Sequence, residues 1–304
     1  MSLLPEIYYV FWQNKKTKYM NIMKFRPLFY LISTMLIGVS IFSIIKWGFK
    51  ASIDFAGGTI WEIKTPNITD QSKIEEVFKA SNIPINSITK TSDSFLIKFA
   101  NIDQDQKIKL SEAVQKIDKD ASDLRFETLG PVLGKELLQK TIVAIILSCF
   151  ALFIFIGRRF NDFSFGISAI LAMLHDSFIL IGSFSLLGHF FGAELDSLFV
   201  TALLTTLSAS VHDTVVTFDR IRELKRQNFK LDWVNLANQA VSEVIVRSIN
   251  NSMTIIFMLL SLVVLGGSTT RWFSVALLIG VICGTYSSTA VAIPLILFFK
   301  RKKL

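Results

Sequence analysis

The sequence predicts a mainly α-helical membrane protein, with six transmembrane helices carrying one α+β, ferredoxin-like domain. Three observations predict it. The 304-residue chain is 51% hydrophobic and holds 27 Phe, with a mean hydropathy of +0.50, too apolar for a soluble domain of that size. Its apolar residues gather in runs of about 20, the length a helix needs to cross the hydrocarbon layer. One hydrophilic block, 47–137, interrupts the series and alternates strand and helix patterns.

Residues 1–26 mix Tyr8, Tyr9, Phe11, Trp12 and Tyr19 with lysines, which suits a segment lying on the cytoplasmic membrane face. The first span is predicted at 27–46. Its apolar run comes late, after a basic stretch, and no small-residue cleavage site follows, so it reads as a retained anchor. In the 47–137 block, Ser52–Lys64 reads as a strand containing Gly57-Gly58. That glycine pair marks a bulge or close backbone contact, or else a binding loop. Thr69–Ser81 reads as a helix capped by Thr69 or Asp70, with Ile74, Val77 and Phe78 on one face. Asn86–Thr91 and Ser94–Ala100 read as a hairpin around Ser92-Asp93. Asp105–Asp120 repeats the amphipathic helix with Ile108, Val114 and Ile117. Leu124–Leu129 then completes the order β-α-β-β-α-β of the ferredoxin-like motif. Further spans are predicted at 138–157, 163–187, 196–218, 247–265 and 272–299. Residues 219–246 read as a cytoplasmic connector, an amphipathic helix or helix pair on the membrane surface, with Trp233, Leu236, Ala237, Ala240, Val241 and Val244 as its apolar stripe. A basic tail, 300–304, follows the last span.

The net charge is +8, and its placement sets orientation. Lys15, Lys16, Lys18, Lys24 and Arg26 precede the first span. Arg158 and Arg159 join the second and third, and Arg220, Arg222, Lys225, Arg226 and Lys230 follow the fourth. The loops on the other side are nearly free of such residues: Gly188–Leu195 has none and Gly266–Arg271 only Arg271. This asymmetry predicts cytoplasmic termini and an external 47–137 domain. Basic residues clustered beside spans argue against nucleic-acid binding. Cys149 and Cys283 both fall in spans, so no disulfide framework is available to the external domain.

Asp213 is the most telling residue, because it lies inside the apolar stretch Leu195–Phe218. A carboxylate there costs about 2.5–3.5 kcal/mol on insertion scales unless it meets a partner or a water-filled path. Thr206, Ser210, Asp213 and Thr217 fall at i, i+4, i+7 and i+11, one stripe of a helix. His212 lies beside them, in line with Thr201, Thr205 and Ser208. Asp213 is predicted about 8 Å from the cytoplasmic end of its span, at 1.5 Å per residue. It reads as a proton carrier or as half of a structural ion pair. Arg247, at the start of the fifth span, could be the other half or could snorkel to the interface. Asn250, Asn251 and Ser252 extend the polar surface or bond between helices. His175-Asp176, near the middle of the third span, fits a proton relay or a structural network. Gly280 and Gly284, four apart, fit close helix packing. The 47–137 domain shows no nucleophile, phosphate loop or metal-ligand cluster, so neither an enzyme nor a cofactor is expected.

Several strings together closely resemble the SecF family of protein-export membrane subunits, over nearly the whole chain. Asp54-Phe55-Ala56-Gly57-Gly58-Thr59 resembles its D-F-x-G-G-T motif. Gly130-Pro131-Val132-Leu133-Gly134-Lys135-Glu136-Leu137 resembles its G-P-x-x-G-x-E-L motif. Asp213-Thr214-Val215-Val216 with Phe218-Asp219-Arg220-Ile221-Arg222-Glu223 resembles its fourth-helix signature, and Tyr286-Ser287-Ser288 matches the sixth helix. His212 stands where the family usually has Asn, and Ser208 where it often has Gly. The resemblance implies a bundle like half of an RND transporter, in the bacterial inner membrane. It implies pairing with SecD and work with the SecYEG channel and the SecA motor, often with YajC, on unfolded preproteins. In the family view proton flow drives motion of the external domain, with Asp213 and Arg247 on the proton path. A half-transporter for small molecules and a passive scaffold are the rival readings. Two short joints, near Trp47–Ala51 and Gly130–Gly134, are hinge candidates or ordinary connectors.

Overall fold

The computed structural model describes residues 19–91, 93–160 and 162–301. The aromatic–lysine segment up to residue 18, Ser92 of the expected turn, and the tail residues 302–304 lie outside them. After a 3-10 turn (Ile22–Phe25), helix α1 spans Arg26–Trp47. A one-turn helix α2 (Ile53–Ala56) leads into strand β1 (Gly58–Lys64), α3 (Gln71–Ala80), β2 (Ile85–Lys90), β3 (Ser94–Phe99), α4 (Gln104–Ile117) and β4 (Ser122–Leu129). Long helices follow: α5 (Pro131–Arg159), α6 (Phe163–Phe191), α7 (Ser197–Gln227), α8 (Trp233–Leu265) and α9 (Ser268–Ala290), with a short α10 (Ala292–Arg301). Six spans are long and apolar enough to cross a membrane, the last made of α9 and α10 together.

The hydrophilic domain is the expected βαββαβ unit. Its sheet runs β2-β3-β1-β4, antiparallel throughout, as the split βαβ motif requires. Strand alternation sends Trp61, Ile63, Phe95, Ile97 and Phe99 to one face, where Ile74 and Phe78 of α3 and Leu110 and Val114 of α4 cover them. Trp61 keeps its ring buried by donating its indole N–H to Asp123 at 2.8 Å. Asp70 caps α3 through the Ser72 amide, and Asp103 with Gln106 forms a capping box on α4.

Two expectations inside the domain are corrected. Ser52–Lys64 is not one strand: Ser52 caps α2, and Gly57 (φ +77°) and Gly58 (φ +144°) turn the chain before β1 begins. On α4, Ile108 and Ile117 are exposed at 50% and 42%. Ile108 lies about 200° around the helix from buried Leu110, at 100° per residue.

The bundle also departs from the predicted boundaries. With 31 and 33 residues, α7 and α8 outrun a hydrocarbon layer of about 30 Å at 1.5 Å per residue. The 219–246 stretch is therefore a helix pair made of their two ends, joined at 228–232. Asp232 caps α8, and Lys225 seals the turn by donating to the Phe229 and Leu231 carbonyls. The stripe from Leu236 to Val244 is buried, and Leu236, Ala237, Ala240 and Val241 pack in one core cluster with Phe218, Ile221, Leu224 and Met23. The last span breaks at Val291, because Pro294 has no N–H to donate to the Ala290 carbonyl. Small residues set the close approaches. A Cβ on Gly182 of α6 would sit 2.2 Å from Cβ of Ser40 of α1, and one on Gly280 of α9 would sit 2.0 Å from Cγ2 of Thr206 of α7.

Candidate functional site

A polar seam runs through the centre of the bundle, where α6, α7 and α9 meet. Its inner member is Asp176, buried on α6. One carboxylate oxygen lies 2.9 Å from Nδ1 of the adjacent, equally buried His175. The other accepts hydrogen bonds from Ser210 of α7 at 2.6 Å and Ser287 of α9 at 2.5 Å. Gly284 permits this, since it lies one turn before Ser287 and lets α9 close on the Ser210 backbone. A buried carboxylate in an apolar bundle must be hydrogen-bonded on both oxygens to persist, and here it is. The other ring nitrogen of His175, Nε2, is buried with no partner among the described residues.

Asp213 is the outer member, half-buried on α7. Its Oδ2 accepts a hydrogen bond from Ser248 of α8 at 3.0 Å, and Nδ1 of His212 lies 3.6 Å from its Oδ1. Between α7, α8 and α9 sits a cavity of about 100 Å³, lined by Ser210, His212, Asp213, Asn251, Ser252 and Thr285 among others. At about 30 Å³ per water it can hold a few water molecules. Thr285 donates across it to Ser252 at 2.6 Å. Ser210 borders both places: its hydroxyl bonds Asp176, and it faces the same cavity as Asp213. The two carboxylates are thus linked by the Ser210 hydroxyl and one small cavity that Ser210 and Asp213 both line.

The predicted stripe on α7 divides. Thr206, Ser210 and Thr217 are all buried, but of their three hydroxyls, among the described residues, only that of Ser210 bonds to another helix. Thr206 bonds back to the Leu203 carbonyl and Thr217 to that of Asp213. His212 points outward, its side chain 74% exposed, on the same face as exposed Thr201, Thr205 and Ser208.

The expected partnership of Asp213 with Arg247 is not present: among the described residues no ion pair joins them. Arg247 is exposed and lines a separate cleft of about 740 Å³ with Asp219, Arg220, Glu223 and Glu243. One residue along α8 is about 100° of rotation, so it is Ser248 that faces Asp213. Asp219, Arg220, Arg222 and Glu223 form a clamp at this end. Asp219 pairs with Arg159 of α5 at 2.5 Å and with Arg222 at 3.6 Å, and Arg220 with Glu223 and with Glu243 of α8, both at 2.5 Å.

The two glycine motifs pack on each other at the other end. A Cβ on Gly57 would lie 2.7 Å from Cα of Pro131, and one on Gly134 would lie 3.0 Å from the Gly57 nitrogen. Close backbone contact, rather than a binding loop, explains Gly57. Pro131 and Gly134 belong to the first turn of α5, and Gly130 is its N-cap. Thr59 bonds Thr128 across the β1–β4 pair at 3.1 Å. Asp54 turns to the bundle, where its Oδ2 accepts from the Ser197 amide at 3.0 Å and the Ser197 hydroxyl at 2.5 Å. The sequence does not single out Ser248, and it marks Ser287 only as part of the Tyr286-Ser287-Ser288 match, with no role at a site. Their signal was spacing: Ser248 is four before Ser252, and Ser287 seven after Gly280.

Residues 109–302 match the family model described as protein export membrane protein SecD/SecF, C-terminal. The chain is 37% identical to the protein translocase subunit SecF of Thermobaculum terrenum, over 93% of this chain and 94% of that one. It is 36% identical to the SecF of Anaerolinea thermophila, over 90% and 92%. It resembles the crystal structure of SecDF, a translocon-associated membrane protein from Thermus thermophilus, with TM-score 0.83 and 29% identity. That match covers 94% of this chain but only 39% of the SecDF chain. A SecDF structure in a super-membrane-facing form fits with TM-score 0.65 at the same 29% identity.

Proposed function

The chain belongs to the SecD/SecF family of protein-export membrane proteins, as a SecF-type translocase subunit, and on that premise we propose that it moves protons through its bundle to assist late steps of preprotein export. The single observation that carries this reading is the seam from Asp176 through Ser210 to the cavity beside Asp213. Both carboxylates sit where an unpartnered charge is costly, and each is held by hydroxyls, which donate to a carboxylate and accept from a carboxyl group. Such a site tolerates both protonation states, as a carrier must. Dehydration favours the neutral form and a wetted cavity the charged one.

One proton falling through 100 mV releases about 2.3 kcal/mol, the scale on which a two-state equilibrium is shifted. In this reading the energy moves the hydrophilic domain, which lies outside the inner membrane while both termini are cytoplasmic. The protein works by contact and movement, with no catalysis of its own. A separate SecD-like subunit supplies the remaining bundle, consistent with the share of the SecDF chain left uncovered. The SecYEG channel, the SecA motor, YajC and unfolded preproteins are the partners the family implies. The unequal fit to two SecDF structures at equal identity supports a relative with more than one arrangement.

Proton flux decides it. The chain is reconstituted with its SecD-type partner in liposomes holding a pH-sensitive dye. Asp213→Asn and Asp176→Asn are each expected to abolish the gradient-driven flux without preventing assembly. Flux equal to the unmodified complex in both variants would sink the proposal.

A further inference from the structure

The hydrophilic domain and the bundle face each other across a cleft of about 790 Å³. Its roof is the outward face of the sheet, its floor the rim around the α6–α7 loop. Its lining mixes charged side chains from both sides, among them Lys98, Arg125, Glu194 and Arg271, with apolar ones such as Leu96 and Trp272. The domain core and the bundle cores are separate clusters, so no shared apolar core cements this boundary. Domains that share no large apolar interface move readily against each other.

Few contacts span the cleft, and they converge on the start of α7. Lys98 of β3 pairs with Glu194 at 2.6 Å, with both side chains about four-fifths buried. Ala51 and Leu195 form a parallel backbone bridge, the Ser52 amide donating to the Leu195 carbonyl at 2.9 Å and the Leu195 amide to the Lys50 carbonyl at 2.8 Å. Asp54 holds Ser197 twice, through its amide and its hydroxyl. The amides at the start of a helix have no partner within it. Two carboxylates divide them here: Asp196 takes the Phe199 amide at 2.7 Å, and Asp54 takes that of Ser197. Asp196 belongs to the α7 loop itself, whereas Asp54 comes from α2, which Gly57 alone separates from β1. Asp54 is therefore the side chain that ties the root of the domain to the helix carrying Asp213. Sixteen residues separate Ser197 from Asp213, about 24 Å along one rigid helix at 1.5 Å per residue.

We propose that Asp54 is a latch: its two hydrogen bonds to Ser197 dock the root of the hydrophilic domain onto α7, so that a shift of α7 is delivered to the domain. The usefulness of this coupling rests on the proton-driven reading above, but the latch itself does not. Asp54 is a positioning residue and carries no proton in this scheme.

The full chain in lipid nanodiscs, with Cys149 and Cys283 replaced, is spin-labelled at Lys79→Cys on α3 and Leu265→Cys at the domain end of α8. The distance between the labels is measured by pulsed electron resonance. The unmodified latch is expected to give one narrow population. Asp54→Ala is expected to lose it in favour of a broad, longer one, and to speed exchange of the Ser197 amide roughly tenfold or more. Ser197→Pro breaks the same latch from the other side. It removes both donors, yet proline is suited to the first position of a helix, and Asp196 already has the extended backbone that precedes a proline (φ −122°, ψ −179°). Asp54→Asn keeps an oxygen for the Ser197 amide and is expected to restore the narrow population, which mere misfolding would not. An unchanged distribution in both Asp54→Ala and Ser197→Pro overturns the latch. A broadened distribution in variants of a protein that conducts no protons would leave the latch standing and remove the proton-driven reading instead.

Discussion

Asp213 meets Ser248, not Arg247, and this changes what mutations at these three positions should do. Groups that share a contact couple energetically; groups with no shared partner act nearly additively, within about 0.5 kcal/mol. For unfolding stability in detergent, Asp213→Asn combined with Ser248→Ala should therefore deviate from additivity by more than about 0.5 kcal/mol. Asp213→Asn combined with Arg247→Met should not. Thermal unfolding of the single and double mutants in detergent gives both cycles, and coupling between 213 and 247 with none between 213 and 248 would contradict the geometry. The candidate site was legible in part. A carboxylate inside an apolar run announces itself, as do His175-Asp176 in mid-span. Which neighbour faces it does not, because a rotation of 100° between Arg247 and Ser248 depends on how α8 is turned against α7. Serines carry no charge to draw attention, so the roles of Ser248 and Ser287 as carboxylate partners emerge only from the packing.

At the scale of elements, hydropathy located the spans, and it missed where helices continue past the membrane. Leu236, Ala237, Ala240 and Val241 form a stripe that fits either a surface helix or a buried helix end. Only the neighbours Phe218, Ile221 and Leu224 decide between them. The start of α7 carries a testable consequence. Burial pushes the Asp196 carboxyl above the ordinary aspartate range; the Phe199 amide opposes this and the nearby Asp54 charge adds to it. A raised folded value means that protonation favours the folded state. The stability so gained is fully present below the unfolded pKa of about 3.9 and is lost as pH rises through the raised value. Asp196→Asn keeps the cap without the charge. It is expected to match or exceed the parent at neutral pH and to flatten the pH dependence across that window. Asp196→Ala lacks the cap and should lose about 0.5–2 kcal/mol at any pH. Thermal unfolding in detergent from pH 4 to 8 measures both. A less stable Asn variant at neutral pH would show that the charge, not the cap, is what matters.

For the whole molecule, the βαββαβ order and the count of spans were readable from periodicity alone, whereas the attachment of domain to bundle was not. The motif glycines show why. Gly57 and Gly134 lie 77 positions apart in the sequence, and nothing short of their contact reveals that one exists to admit the other. The fold does sharpen the question of sidedness. The turn at 228–232 and the Arg159–Asp219–Arg222 clamp lie at one end of the bundle, and the domain with the 192–197 loop lies at the other. Lys and Arg near the ends of spans set orientation, while Asp and Glu contribute little. The acidic partners Asp219, Glu223 and Glu243 therefore do not cancel the signal of Arg158, Arg159, Arg220, Arg222, Lys225 and Arg226. The clamp end should face the cytoplasm. In a background lacking Cys149 and Cys283, an impermeant thiol reagent added to intact cells made permeable only at the outer membrane should label Lys79→Cys on α3. It should label Asn228→Cys only after the inner membrane is opened. Labelling of 228 from outside would invert the topology. It would also place the Asp213 end of the seam on the side from which protons are supplied, which would reverse the direction of the proposed proton path.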